Sequence, residues 1–119
     1  MKTIFEGIDY DFIEIGTSDF QTLIEEASDE AIGLSVEPIS YYLNKLPNPK
    51  NVTKVNAALS DKDGELNIYY IDEKYIEPYG LPWWVRGSNS INKPHPFTVQ
   101  EIGQELYDKL VTIEAVPVI

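Results

Sequence analysis

The chain has no cysteine, one arginine, one histidine and one methionine in 119 residues. Without cysteine there can be no disulfide, thiolate metal ligand or thiol nucleophile. Basic side chains are scarce, nine against 20 acidic ones, and the net charge is −11. A nucleic-acid partner requires a cationic face that displaces counterions, so this composition excludes one. An anionic membrane would repel the chain as well. No apolar run approaches the roughly 20 residues of a membrane-spanning helix. The opening "MKTIFEGIDY" meets Glu6 too early for the apolar region of a signal peptide, so a cytoplasmic location is expected. The "NVT" at 51–53 fits a glycosylation acceptor, but without a secretory signal it reads as a chance match.

What is present is ordinary for a globular chain, with 43% hydrophobic and 24% charged residues. The length suits one domain with a modest core. Neither an internal repeat nor a low-complexity segment is evident. After a leader at 1–10, "DFIEI" (11–15) reads as a strand. Ser18 with Gln21 three residues later has the spacing of a capping box, and Phe20, Leu23, Ile24 and Ala27 follow at helical intervals. "AIGLSVE" (31–37) predicts a second strand, "ISYYLNKL" (39–46) a short helix and "VTKVNAALS" (52–60) a third strand. The order strand–helix–strand–helix–strand implies parallel strands joined by right-handed crossovers.

Beyond residue 60 the pattern changes. "DKDG" (61–64) predicts a tight turn, with "ELNIYYI" (65–71) returning antiparallel. Residues 72–97 read as a long loop, and loops of that length are uncommon unless functional. Thr98 and Glu101 suggest a second capping box, opening a helix to about Leu110. "LVTIEAVPVI" is expected to close the chain as an extended segment. The expected fold class is therefore α/β, a Rossmann-like half with three parallel strands, a hairpin and a long loop, in one partial domain over 1–119.

One constellation points to chemistry. A strand–turn–helix aims unpaired N–H groups at a cleft and suits anionic ligand groups. Gly16 allows close approach to the backbone. Glu37 ends the second strand 21 residues after Gly16, the spacing at which an acid accepts hydrogen bonds from a ribose diol. A nicotinamide cofactor fits poorly, because its fingerprint needs glycines at 16, 18 and 21 and the chain has Gly16, Ser18 and Gln21. Glu14 inside the first strand needs a partner, since an unpaired buried carboxylate is costly. That partner is either neighbouring backbone N–H groups or a cationic ligand. S-adenosylmethionine, with an ammonium, a sulfonium and a ribose, suits Glu14 better than a pyrophosphate does.

The blocks "FIEIGTSDFQTLI", "LSVEPISYYL", "VNAALSDKDGELNIYYI", "LPWWVRGSNSINKPHP" and "VTIEAVPVI", taken in order, resemble the FkbM-type S-adenosylmethionine-dependent methyltransferases. The resemblance runs from about residue 11 to the last. It implies a Rossmann-like methyltransferase fold and methyl transfer to hydroxyl oxygens of small molecules or sugars. By this resemblance Glu14, Gly16, Thr17, Ser18 and Asp19 would contact the methionine part, and Glu37 would hold the ribose. Pro38, Ile39, Ala58 and Leu59 would lie near the adenine. Thr17 and Ser18 stand where many relatives have glycine or alanine. Relatives also continue into a fourth strand with an acidic motif near the methyl, and the chain ends at "VPVI". On this reading the chain corresponds to the amino-terminal half of such a domain, and self-association or completion by another chain is expected.

Other features admit plainer readings. Glu37 alone could be a solvated acid before Pro38. Asp61, Asp63 and Gly64 lack the rest of a calcium loop and fit a hairpin turn. Glu25, Glu26, Asp29 and Glu30 fit a solvated face, and no metal site is expected. In the aromatic loop, Trp83 and Trp84 could stack on a substrate or cover the core. Arg86 and His95 are candidate catalytic residues on the acceptor side, His95 as the only histidine available to act as a base. A noncatalytic nucleoside- or partner-binding module is the alternative to an enzyme.

Overall fold

The computed structural model describes residues 6–18 and 22–119. Two compact units divide the chain, residues 1–65 with 116–119, and residues 66–115. No described helix is long and apolar enough to cross a membrane.

The first unit holds β1 (Phe12–Ile15), α1 (Leu23–Glu26), β2 (Gly33–Val36), α2 (Ser40–Lys45) and β3 (Val52–Val55). The strands form a parallel sheet in the order β1-β2-β3, with Phe12 opposite Gly33 and Gly33 opposite Val52. The expected alternation and parallel pairing are both present. Gly33 is required by packing, because a Cβ there would overlap the Phe12 ring. One sheet face buries Ile24, Leu43 and Leu46 against Phe12 and Val52. The opposite face buries Leu34 and Val36 with Ala57 under Tyr10, Val55 and Ile119. At strand spacing the two faces alternate, so each strand supplies both.

Across the helix-bearing face runs a polar row, Glu14 opposite Ser35 and Ser35 opposite Lys54. Its two ends serve the helices. Both Glu14 oxygens accept the Leu23 N–H, at 3.1 and 3.2 Å, where α1 begins. Lys54 Nζ donates to the Leu46 carbonyl at 2.9 Å, where α2 ends, and to Asn48 Oδ1 at 3.1 Å. Each charge has the sign that the nearby helix terminus favours.

The expected Ser18 cap is not the helix start. The N-cap is Thr22, whose hydroxyl donates to Glu25 Oε1 at 2.7 Å, so the capping-box spacing falls on Thr22 and Glu25. Ser18 instead occupies a left-handed turn, φ +54°. Phe20 and Gln21 lie outside the described residues.

Two other expectations fail in the same unit. The "ELNIYYI" strand does not return along β3. Beyond β3, Ala58 donates to the Pro117 carbonyl at 2.9 Å and accepts from the Ile119 N–H at 2.9 Å, an isolated parallel bridge to the last residues. The third strand is also shorter than expected, ending at Val55.

β4 (Glu65–Ile71), β5 (Ser90–Ile91) and β6 (Val111–Pro117) form a second sheet in the order β5-β4-β6, with β4 and β5 antiparallel. The second unit also holds 3-10 turns at Glu73–Tyr75 and Trp83–Gly87 and two helices, α3 (Pro96–Ile102) and α4 (Gln104–Leu110). The segment 72–97 is thus not a structureless loop. Ile71, Val85, Tyr107 and Leu110 form a core cluster of the second unit. The single helix expected over 98–110 is split at Gly103, whose φ of +90° and ψ of 144° interrupt the helical path. α3 starts two residues before Thr98, because Pro96 opens its first turn and His95 caps it.

Candidate functional site

The carboxyl ends of β1 and β2 meet at Glu37. Gly16 leaves β1 with φ +73°, a conformation suited to glycine, and its N–H donates to the Val36 carbonyl at 2.8 Å. The turn then brings the Ser18 N–H to 2.8 Å from Glu37 Oε1. The other oxygen, Oε2, accepts the Ile39 N–H at 2.8 Å. Glu37 is only 4% exposed, and backbone donors answer its charge. Asn56, at the end of β3, donates from Nδ2 to the carbonyls of Glu37 at 2.9 Å and Pro38 at 3.0 Å. Asn56 thereby holds the turn after β2. The sequence hides this role, because residue 56 falls inside the strand expected over 52–60 and only the early end of β3 at Val55 frees it.

Several expected site residues gather here: Gly16, Thr17, Ser18, Glu37, Pro38 and Ile39. Thr17 is buried, and its hydroxyl has no hydrogen-bond partner. Ile39 is completely buried, so its side chain belongs to the core, while Pro38 is half-buried. Ala58 is buried in the bridge to Val118, whereas Leu59 is exposed. Asp19 lies outside the described residues. Glu14 has a protein partner, the α1 N-terminus.

Arg86 and His95 belong to the second unit, and each has a structural partner. Glu73 Oε2 accepts from Arg86 Nη2 at 3.0 Å and from Nε at 3.2 Å, while the guanidinium lies 5.1 Å from the Trp83 ring centre. His95 Nδ1 accepts the Thr98 N–H at 3.3 Å as the cap of α3. Trp84 pairs with Phe97, ring centres 5.2 Å apart, and Trp83 is 65% exposed. An open depression of ≈ 490 Å³ around the α3–α4 break is bounded by Ile102, Gly103, Gln104, Glu105, Leu106 and Lys109. It contains none of the expected site residues. Set against protein-family models, curated proteins and solved structures, the chain matches none.

Proposed function

We propose that the chain binds S-adenosylmethionine at the carboxyl ends of β1 and β2, as part of a methyltransferase of the FkbM type. The observation that supports this most directly is the Ser18–Glu37 contact at 2.8 Å, which unites the glycine turn and the strand-end acid at one locus. Ligands of open parallel sheets bind at such strand ends. Glu37 would hold the ribose hydroxyls, Pro38 would border the adenine, and the turn through Gly16 would meet the methionine part. When bound, S-adenosylmethionine would supply an activated methyl group to a hydroxyl oxygen of a small molecule or sugar. The protein's part is to hold oxygen, carbon and sulfur in line.

A noncatalytic nucleoside-binding module is the second reading. It is favoured by the structural employment of both candidate catalytic groups, Arg86 on Glu73 and His95 on α3.

Calorimetric titration with S-adenosylmethionine and S-adenosylhomocysteine tests the binding reading, and a methyl-transfer assay separates the two. A charge-assisted hydrogen bond contributes about 1.5–3 kcal/mol, so Glu37→Ala is expected to weaken binding by roughly tenfold to a hundredfold. Absence of binding to the folded parent protein would reject the S-adenosylmethionine reading of this site.

A further inference from the structure

We propose that the indole of Trp83 is a platform on which an uncharged sugar ring stacks. The platform lies within the second unit and does not depend on the reading at Glu37. Among the described residues five aromatic side chains are exposed, and four of them, Tyr79, Trp83, Trp84 and Phe97, lie between positions 79 and 97. Tyr79 packs edge-on against Tyr75, and Trp84 packs on Phe97. Trp83 is the most exposed of the four, at 65%, and has no ring partner among the described residues.

Its turn fixes its orientation. Residues three apart eclipse in a 3-10 turn, which sets Arg86 beside Trp83, while the fully buried Val85 anchors the turn in the core. The guanidinium lies over the indole, 5.1 Å from the ring centre, and Glu73 Oε2 holds it through Nε at 3.2 Å and Nη2 at 3.0 Å. The Arg86 and Glu73 side chains are only 12% and 18% exposed, so the ion pair is a floor under a ring that is otherwise open to water. The floor also selects the ligand. A second cation opposite the guanidinium is repelled by it, and the net charge of −11 repels anions. An uncharged ring with an apolar face remains. A pyranose has one, formed by its axial C–H groups, and its hydroxyls can stay in water. A peptide partner needs on the order of 1,000 Å² of buried surface, whereas one indole supplies about 150–250 Å².

Electrophoresis of the native protein through gels containing amylose, hydroxyethylcellulose or galactomannan tests the platform. The parent is expected to be retarded by at least one of these neutral polysaccharides. Trp83→Ala, which removes an exposed side chain and should leave the thermal midpoint unchanged, is expected to weaken retardation by at least about tenfold. Glu73→Gln, which loosens the floor and keeps the indole, should weaken it by a smaller factor. Trp84→Phe should still bind, and Trp83 is then the only tryptophan, so its emission is expected to shift to the blue as the retarding polysaccharide is added. Retardation of the parent by none of the three would overturn the inference. So would retardation that survives in folded Trp83→Ala, or an unmoved emission in Trp84→Phe. A parent shifted by a polyproline peptide and by no polysaccharide would make the ring a protein-docking surface and would overturn it as well.

Discussion

A carboxylate tolerates burial when hydrogen-bond donors surround it, and Glu37 meets that condition with the N–H groups of Ser18 and Ile39. Its position was legible from the spacing to Gly16. Its burial was not, because that depends on a turn folding back over the strand end. Among the described residues the Thr17, Ser35 and Tyr107 hydroxyls are buried without a hydrogen-bond partner, and no sequence pattern announces that. Tyr70 shows the same dependence on surroundings. Burial, then the charges of Glu114 and Asp72, push its pKa from 10.0 to about 12, and its hydroxyl lies 3.4 Å from Glu114 Oε2. The fold favours the protonated phenol, so this contribution to stability is complete below pH 10 and is lost as pH rises toward 12. Thermal midpoints across that range are expected to fall more steeply for the parent than for Tyr70→Phe. Equal slopes would contradict the shift.

Helix starts were the least legible elements. Capping-box spacing occurs at Ser18 with Gln21, at Thr22 with Glu25 and at Thr98 with Glu101, and only the tertiary frame selects among them. At α1 the selection comes from Glu14, a strand residue whose carboxylate meets the Leu23 N–H. At α3 it comes from Pro96, with His95 Nδ1 as acceptor for the Thr98 N–H. Loss of an N-cap costs about 1 kcal/mol. His95→Ala is expected to lose that much stability in denaturant unfolding, and His95→Asp to recover most of it. Full stability in His95→Ala would show that the cap contributes nothing and would release His95 for a catalytic role. At the far end of α3, Gly103 at φ +90° splits what periodicity presented as one helix. Periodicity carries no information about one backbone angle.

At the scale of the molecule, two features oppose each other. Among the described residues β1 is an edge strand, and Ile13 and Ile15 remain 46% and 43% exposed. Such an edge promotes association. Against it stands the charge, −11 overall, with ten acidic and no basic residues between positions 3 and 44. Like-charge repulsion is screened by salt. Sedimentation is therefore expected to show self-association that strengthens from low to high ionic strength, and Ile13→Lys to suppress it with little change in stability. A parent protein that stays monomeric at high salt would remove β1 as an association edge.

The sequence by itself determined the parallel βαβαβ order and the glycine turn facing a strand-end acid. These follow from local periodicity and from handedness rules that act on any chain. Tertiary structure alone decided that β4 joins a second sheet and that the last residues bridge to Ala58. It alone decided that Glu14 serves α1, that Arg86 is held by Glu73, and that the Ser18 N–H meets Glu37. Those outcomes are competitions among distant donors and acceptors for the same partners. A linear pattern names the competitors, and only the packed chain brings them within hydrogen-bond reach.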